Sequence, residues 1–79
     1  MYLIVFRSKS ETLRFSSLLS SYNFKNVVMS TPRQISASCG LSCKIGDGAL
    51  NTANLILQRR QFYTFVGIYL ITNDGFVKI

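Results

Sequence analysis

The stretch Tyr2-Leu3-Ile4-Val5-Phe6-Arg7-Ser8-Lys9-Ser10-Glu11 decides the fold. Residues 2–6 are a continuous apolar, β-prone run, and a short unbroken run of this kind reads as a strand buried on both faces. Ser8, followed three residues later by Glu11, has the capping-box form that opens a helix. A central strand leading directly into a helix is the first half of a βαβ unit.

Working outward, the helix should run to about Ser21, with Phe15, Leu18, Leu19 and Tyr22 on one side at helical spacing. Asn23 ends it, and Phe24 to Met29 is a second strand centred on Val27 and Val28. Ser30 to Gln34 again looks like a helix start, with Thr31 before Pro32 and Gln34 three after Thr31. Ile35 to Gly40 is too short and small-sided for a full helix, so a loop with one helical turn, closing at Gly40, is expected. Leu41 to Ile45 alternates, which reads as a strand burying Leu41, Cys43 and Ile45 and turning Ser42 and Lys44 outward.

Gly46-Asp47-Gly48 is a turn, with Asp47 a candidate N-cap for a second helix from about Ala49 to Gln58 or Arg60. Ala49, Leu50, Ala53, Ile56 and Leu57 share its apolar face. Phe62 to Thr72 is a long β-prone run. Asn73-Asp74-Gly75 is a turn signal, and Phe76 to Ile79 can fold back as a hairpin strand. The order is β-α-β-β-α-β with an extra C-terminal hairpin strand. This is an α+β, ferredoxin-like split βαβ pattern, an antiparallel sheet with two helices on one face, in a single domain over residues 1–79.

Composition narrows the function. A chain of 79 residues, 48% of them hydrophobic, buries only ~60% of its unfolded surface. That leaves little material for an elaborate cleft and favours one exposed group or a binding surface. The net charge of +6 suits an anionic partner or plain solubility, and the basic residues form no run. With no His in the chain, imidazole acid–base chemistry and His-ligated metals are excluded. Two cysteines cannot close a zinc site within one chain, and a secreted disulfide scaffold would carry more. No metal and no cofactor are expected. The N-terminal apolar run is too short for a signal peptide, and no run reaches membrane-spanning length. The reading is a cytoplasmic protein with free thiols and no membrane partner.

Topology then gathers the candidate residues. In a split βαβ fold the first strand ends where the first helix begins. The loop from Ser30 to Gly40 lies at that same edge, as do the end of the second helix and the start of the last long strand. Arg7, Lys9, Arg33, Arg59 and Arg60 should therefore share one edge with Cys39, and Glu11 is the only acid near it. Cations and helix N-termini lower a thiol pKa, and the small neighbours Ser36, Ala37, Ser38 and Gly40 would leave the sulfur open. The competing reading is that Cys39 is a small residue at a strand entry, since free cysteines are among the most buried residues. Cys43, on the face of Leu41 and Ile45, reads as core. Tyr63, Phe65 and Tyr69 would share one face of the last strand. Without an RNP1-like pattern, a core or dimer face suits them better than RNA.

The segment Thr31-Pro32-Arg33-Gln34-Ile35-Ser36-Ala37-Ser38-Cys39-Gly40-Leu41 resembles the Pro-Arg…Ser-x-x-Cys-Gly segment of short bacterial proteins of the selenium/sulfur carrier protein-like family. The resemblance covers nearly the whole chain, and the loop is its specific part. It implies that Cys39 accepts sulfane sulfur or reduced selenium as a persulfide-type adduct and hands it on. Pro32, Arg33 and Gly40 carry over by position, and Arg33 and Arg7 would stabilise the anion. Such a protein is a carrier or accessory protein rather than a stand-alone enzyme. Its partners would be donor and acceptor proteins, and a homodimer could form through the last strand. The alternative is a non-catalytic regulatory module whose basic edge meets an acidic protein or nucleic acid.

An extended chain advances ~3.3 Å per residue, which separates positions four apart by roughly 13 Å, whereas a disulfide needs Cα atoms within ~7 Å. Cys39 and Cys43 are therefore expected not to pair in the folded chain. Mild oxidation followed by intact-mass and peptide analysis checks this: adducts or intermolecular dimers through Cys39 are expected, and an intramolecular bond in folded monomer would contradict it.

Overall fold

The computed structural model describes residues 1–35 and 40–79. The elements follow the expected order: β1 (Tyr2–Phe6), α1 (Lys9–Ser21), β2 (Asn26–Ser30), β3 (Leu41–Ile45), a 3-10 turn (Asp47–Ala49), α2 (Leu50–Arg59), β4 (Phe65–Thr72) and β5 (Gly75–Lys78). The strands form one antiparallel sheet of order β2-β3-β1-β4-β5. β3 is inserted between β1 and β2, and β1 between β3 and β4, which is the split-βαβ interleaving. β5 extends it by one strand, so the edge of β4 open to a dimer partner in a four-stranded sheet is occupied by the chain's own hairpin.

β1 is central, and Leu3, Ile4, Val5 and Phe6 are all buried, as an unbroken apolar run requires. Ile4 and Phe6 join Cys43, Ile45 and Ile68 beneath Phe15 and Leu19 of α1 and Ala53 and Ile56 of α2. Both helices thus cover one face of the sheet. Fully burying side chains of this size contributes ~1.5–3 kcal/mol each, and this one-sided layer is the core.

Several details differ from the sequence reading. β2 begins at Asn26, because Phe24 is spent on the end of α1. Asn23 takes a positive φ of 68°, and the amides of Tyr22, Asn23 and Phe24 close on the carbonyls of Leu19 and Ser20. Tyr22 follows the helix and is exposed. Asp47 caps nothing. Its carboxylate pairs with the N-terminal amino group at 2.6 Å, and α2 starts through the 3-10 turn with no side-chain cap. Ser42 faces away from the helices as expected, yet it is fully buried, because its hydroxyl hydrogen-bonds that of Thr31 at 2.7 Å.

A further difference is a bulge. Val5 pairs with Gly67 but Phe6 pairs with Phe65, so Val66 is the extra residue. A bulge re-aims the side chains that follow it. Phe65 therefore joins Phe6 on the helix side, with ring centroids 5.8 Å apart, and does not share a face with Tyr69. Tyr63 precedes the strand and is exposed. Phe6 also meets Phe15 at 5.4 Å and Phe62 at 5.2 Å. It is the centre of an aromatic cluster drawn from β1, α1, the α2–β4 connection and β4.

Removing that centre should be costly. Phe6→Ala is expected to destabilise the fold by ~3–5 kcal/mol, read from urea unfolding. A loss below ~1 kcal/mol would show that the cluster is not the core's anchor.

Candidate functional site

The edge at which β1 ends is held together by main-chain and hydroxyl contacts. The Arg7 amide donates to the Thr64 carbonyl at 2.9 Å, and the Ser8 amide to Thr64 Oγ1 at 3.1 Å. Ser8 caps α1, its hydroxyl accepting from the Glu11 amide at 3.3 Å. Glu11 does not complete the capping box. Its carboxylate turns to the α2–β4 connection and accepts from the amides of Tyr63 and Thr64 at 2.8 and 2.7 Å and from the Thr64 hydroxyl. The start of α1 is thereby tied to the start of β4.

The loop between β2 and β3 is fastened to the same edge. The Thr31 amide donates to the Gly40 carbonyl at 2.9 Å, and the Ile35 amide closes a turn on Pro32 at 3.0 Å. Thr12 Oγ1 bridges the Ser8 and Leu41 carbonyls. Gly40 passes so close to β1 that a Cβ there would sit 3.2 Å from the Phe6 carbonyl oxygen, so only glycine fits without displacement. A hydrogen-bonded turn spans Pro32–Ile35, and the helical turn expected within residues 35–40 falls on residues that are mostly outside the described ones. Residues 36–39, and with them Cys39, lie outside the described residues.

Among the other candidates, Pro32 is half-buried and Arg33 exposed in that turn, and Gly40 forms the loop's far end. Arg7 is exposed immediately after β1. The hydrogen bonds bring Arg7, Thr31, Gly40, Leu41 and Thr64 to one edge. Arg59 and Arg60 are exposed at the C-terminal end of α2, joined to Thr64 by three residues. The one acid at this edge, Glu11, is engaged by Thr64. The Thr64 hydroxyl and the two amides hold its carboxyl below the usual range, Arg14 adding to this and burial opposing it.

Cys43 is sealed. It has no exposed surface and its thiol points to Asn26 Oδ1 at 3.4 Å. The same oxygen accepts from the Ser16 hydroxyl, while the Asn26 amide nitrogen donates to Ser20 Oγ at 3.0 Å and to the Phe24 carbonyl at 3.2 Å. Burial pushes the Cys43 thiol up to about 12, the Ser16 hydroxyl offsetting only part of the rise. A group in that state is not a nucleophile near neutral pH. Sequence reasoning missed Asn26, Thr31 and Thr64, whose partners are far away in the chain. The capping-box signal found Glu11 but assigned it the wrong partner.

The family model described as "Putative Se/S carrier protein-like" matches residues 1–69. The chain belongs to this family. The match to the Se/S carrier-like family runs from β1 through most of β4 and stops before β5. Comparison with the curated proteins and with the solved structures finds no match. Among the described residues no cluster of three or more His, Cys, Asp or Glu could hold a metal ion, and no helix is long and apolar enough to cross a membrane.

The Glu11 clamp sets a pH dependence. A carboxyl held low in the folded state adds stability above its unfolded pKa of ~4.3, and that stability fades as pH falls through the lower folded value. Glu11→Gln should therefore lower the melting temperature at pH 7 and lose its effect progressively below about pH 4. Equal destabilisation at both pH values would show that the clamp does not depend on charge.

Proposed function

We propose that this protein is a sulfur or selenium carrier whose working group is the Cys39 thiolate. One observation carries the reading. The chain belongs to the Se/S carrier-like family, carrier chemistry on it needs a thiolate, and of its two cysteines Cys43 is buried and held as a neutral thiol. Cys39 is the sulfur that remains.

The step needs no oxidant. Cys39 thiolate attacks the terminal sulfur of a donor persulfide R–S–SH, forming the Cys39 S–S bond as the donor's S–S bond breaks and RS⁻ leaves. An acceptor thiolate then attacks the same terminal sulfur, and Cys39 departs as thiolate. A donor R–S–SeH delivers selenium by the same exchange. Thiolates are the nucleophiles in such exchanges. Arg33 and Arg7 supply exposed cationic charge beside the loop, Arg59 and Arg60 extend it, and Pro32 and Gly40 hold the loop's ends. The partners are donor and acceptor proteins, and a reducing cytoplasm is the compartment that keeps such thiols free. The exposed basic edge also suits an acidic protein surface, which serves docking within the carrier reading.

Loading the folded protein with a persulfide donor tests this. Intact-mass analysis and peptide mapping should find one added sulfur atom on Cys39, retained in Cys43→Ser and lost in Cys39→Ser. An adduct on Cys43, or none in a folded wild type, would contradict the proposal.

A further inference from the structure

The two edges of the sheet are finished differently. The strand order leaves β2 at one edge and β5 at the other. β5 is four residues long and carries Lys78, and short strands and lysines are common ways of blunting an exposed edge. β2, Asn26-Val27-Val28-Met29-Ser30, has no charge, no proline and an unbroken register with β3. Its Val27 is 59% exposed. In a chain of net charge +6, this is an edge without protection.

The hydrogen bonds of β2 fix which of its main-chain groups face outward. The Thr31 amide donates to the Gly40 carbonyl at 2.9 Å, one step beyond the Ser30–Leu41 pair. Hydrogen-bonded and non-hydrogen-bonded pairs alternate along an antiparallel ladder. Met29–Ser42 and Val27–Lys44 are therefore the bonded pairs of β2 with β3, and the amides and carbonyls of Asn26, Val28 and Ser30 point out of the sheet edge. These positions are symmetric about Val28. A second β2 laid antiparallel on a twofold axis at Val28 meets every one of them: Val28 faces Val28 and Asn26 faces Ser30, each pair exchanging both hydrogen bonds. In the same register Val27 faces Met29 on the helix-free side. Apolar side chains meet apolar ones, polar meet polar, and no like charges are opposed. The Asn26 side chain is held by Ser20 and the Phe24 carbonyl, so it does not compete for the outward main-chain groups. On the helix side, Leu13 is 46% exposed and shares a stripe of α1 with Ser16 and Ser20, whose contacts with Asn26 put that stripe beside β2. Across the axis it faces its own copy.

We propose that the protein forms a twofold dimer by antiparallel pairing of β2 with β2 of a second copy, joining the two sheets into one. The occupant is a second copy rather than a foreign strand, because the register that satisfies the outward groups is the self-complementary one. The pairing closes the edge that β2 leaves open, as β5 closes that of β4. It is independent of the carrier reading, yet it bears on the same end of the fold. Lys25 of the second copy falls opposite Thr31, where the β2–β3 loop is fastened, and adds a cation there.

Sedimentation equilibrium across a concentration series tests this, with the wild type expected to be a dimer. The Val28 amide points away from β3, so Val28→Pro spares the ladder within the chain and removes the donor each copy presents at the axis. It should raise the dimer dissociation constant by at least about tenfold, with the circular dichroism spectrum retained. Val28→Lys and Val28→Glu should each weaken the dimer when alone, since each sets like charges face to face. Mixing them in equal amounts should restore a dimer containing one copy of each. Val77→Lys, on the other edge strand, should dimerise as the wild type does. The charge pair decides alone if Val28→Pro fails to fold. A monomeric wild type, a dimer undiminished in folded Val28→Pro, an equal loss in Val77→Lys, or folded Lys and Glu variants that fail to pair on mixing would overturn the proposal. The sulfur-loading experiment reads mass on Cys39 and not association, so the two readings fail separately.

Discussion

The structure depends on the packing of one ring. Phe6 ends the central strand, and its side chain gathers Phe15, Phe62 and Phe65 while its carbonyl lies against Gly40. The same residue therefore anchors the core and sets the floor of the loop. A chain of 79 residues has little core to spare, and four of its six phenylalanines meet at this end. The bulge in β4 follows from this demand, since without the extra residue Phe65 would face away from the cluster.

Around that anchor, the edge is assembled from contacts between distant segments. Glu11 joins α1 to β4, Thr64 joins β4 to the end of β1, and Thr31 and Gly40 close the loop onto β3 and β1. Each satisfies a main-chain or hydroxyl group that would otherwise be orphaned at a strand or helix end. With its one acid engaged in this way, the edge leaves exposed basic side chains, Arg7, Lys9 and Arg33 among them, as its charges. Cys43, within β3, is committed to the helix-covered face and bonded to Asn26, which is why the proposed carrier chemistry is assigned to Cys39.

Much of the fold was legible in the sequence because local signals agreed with the tertiary outcome. The apolar run at Leu3–Phe6, the Ser8 cap, the alternation of Leu41–Ile45 and the Asn73-Asp74-Gly75 turn are all determined over a few residues. The burial of Cys43 followed from the same alternation. What was not legible depends on long-range partners. Ser42 is polar and reads as exposed until Thr31 covers it, Asp47 reads as a cap until the N-terminal amino group takes it, and the face of Phe65 is set by a bulge that no local pattern encodes. The site was legible in part. Topology placed Arg7 and the ends of the β2–β3 loop at one edge, whereas the Glu11–Thr64 clamp joins residues far apart in the chain and has no local signal.

The central claim is that one cysteine takes a chalcogen atom and gives it up again. Single-turnover transfer of isotopically labelled sulfane sulfur tests it most directly, with folded, loaded protein mixed with an acceptor thiol and the label followed by peptide mapping. The account predicts that the label leaves Cys39 and appears on the acceptor, with Cys43 never labelled and the fold intact. Label that stays on the protein, or that reaches the acceptor equally well from Cys39→Ser, would contradict it.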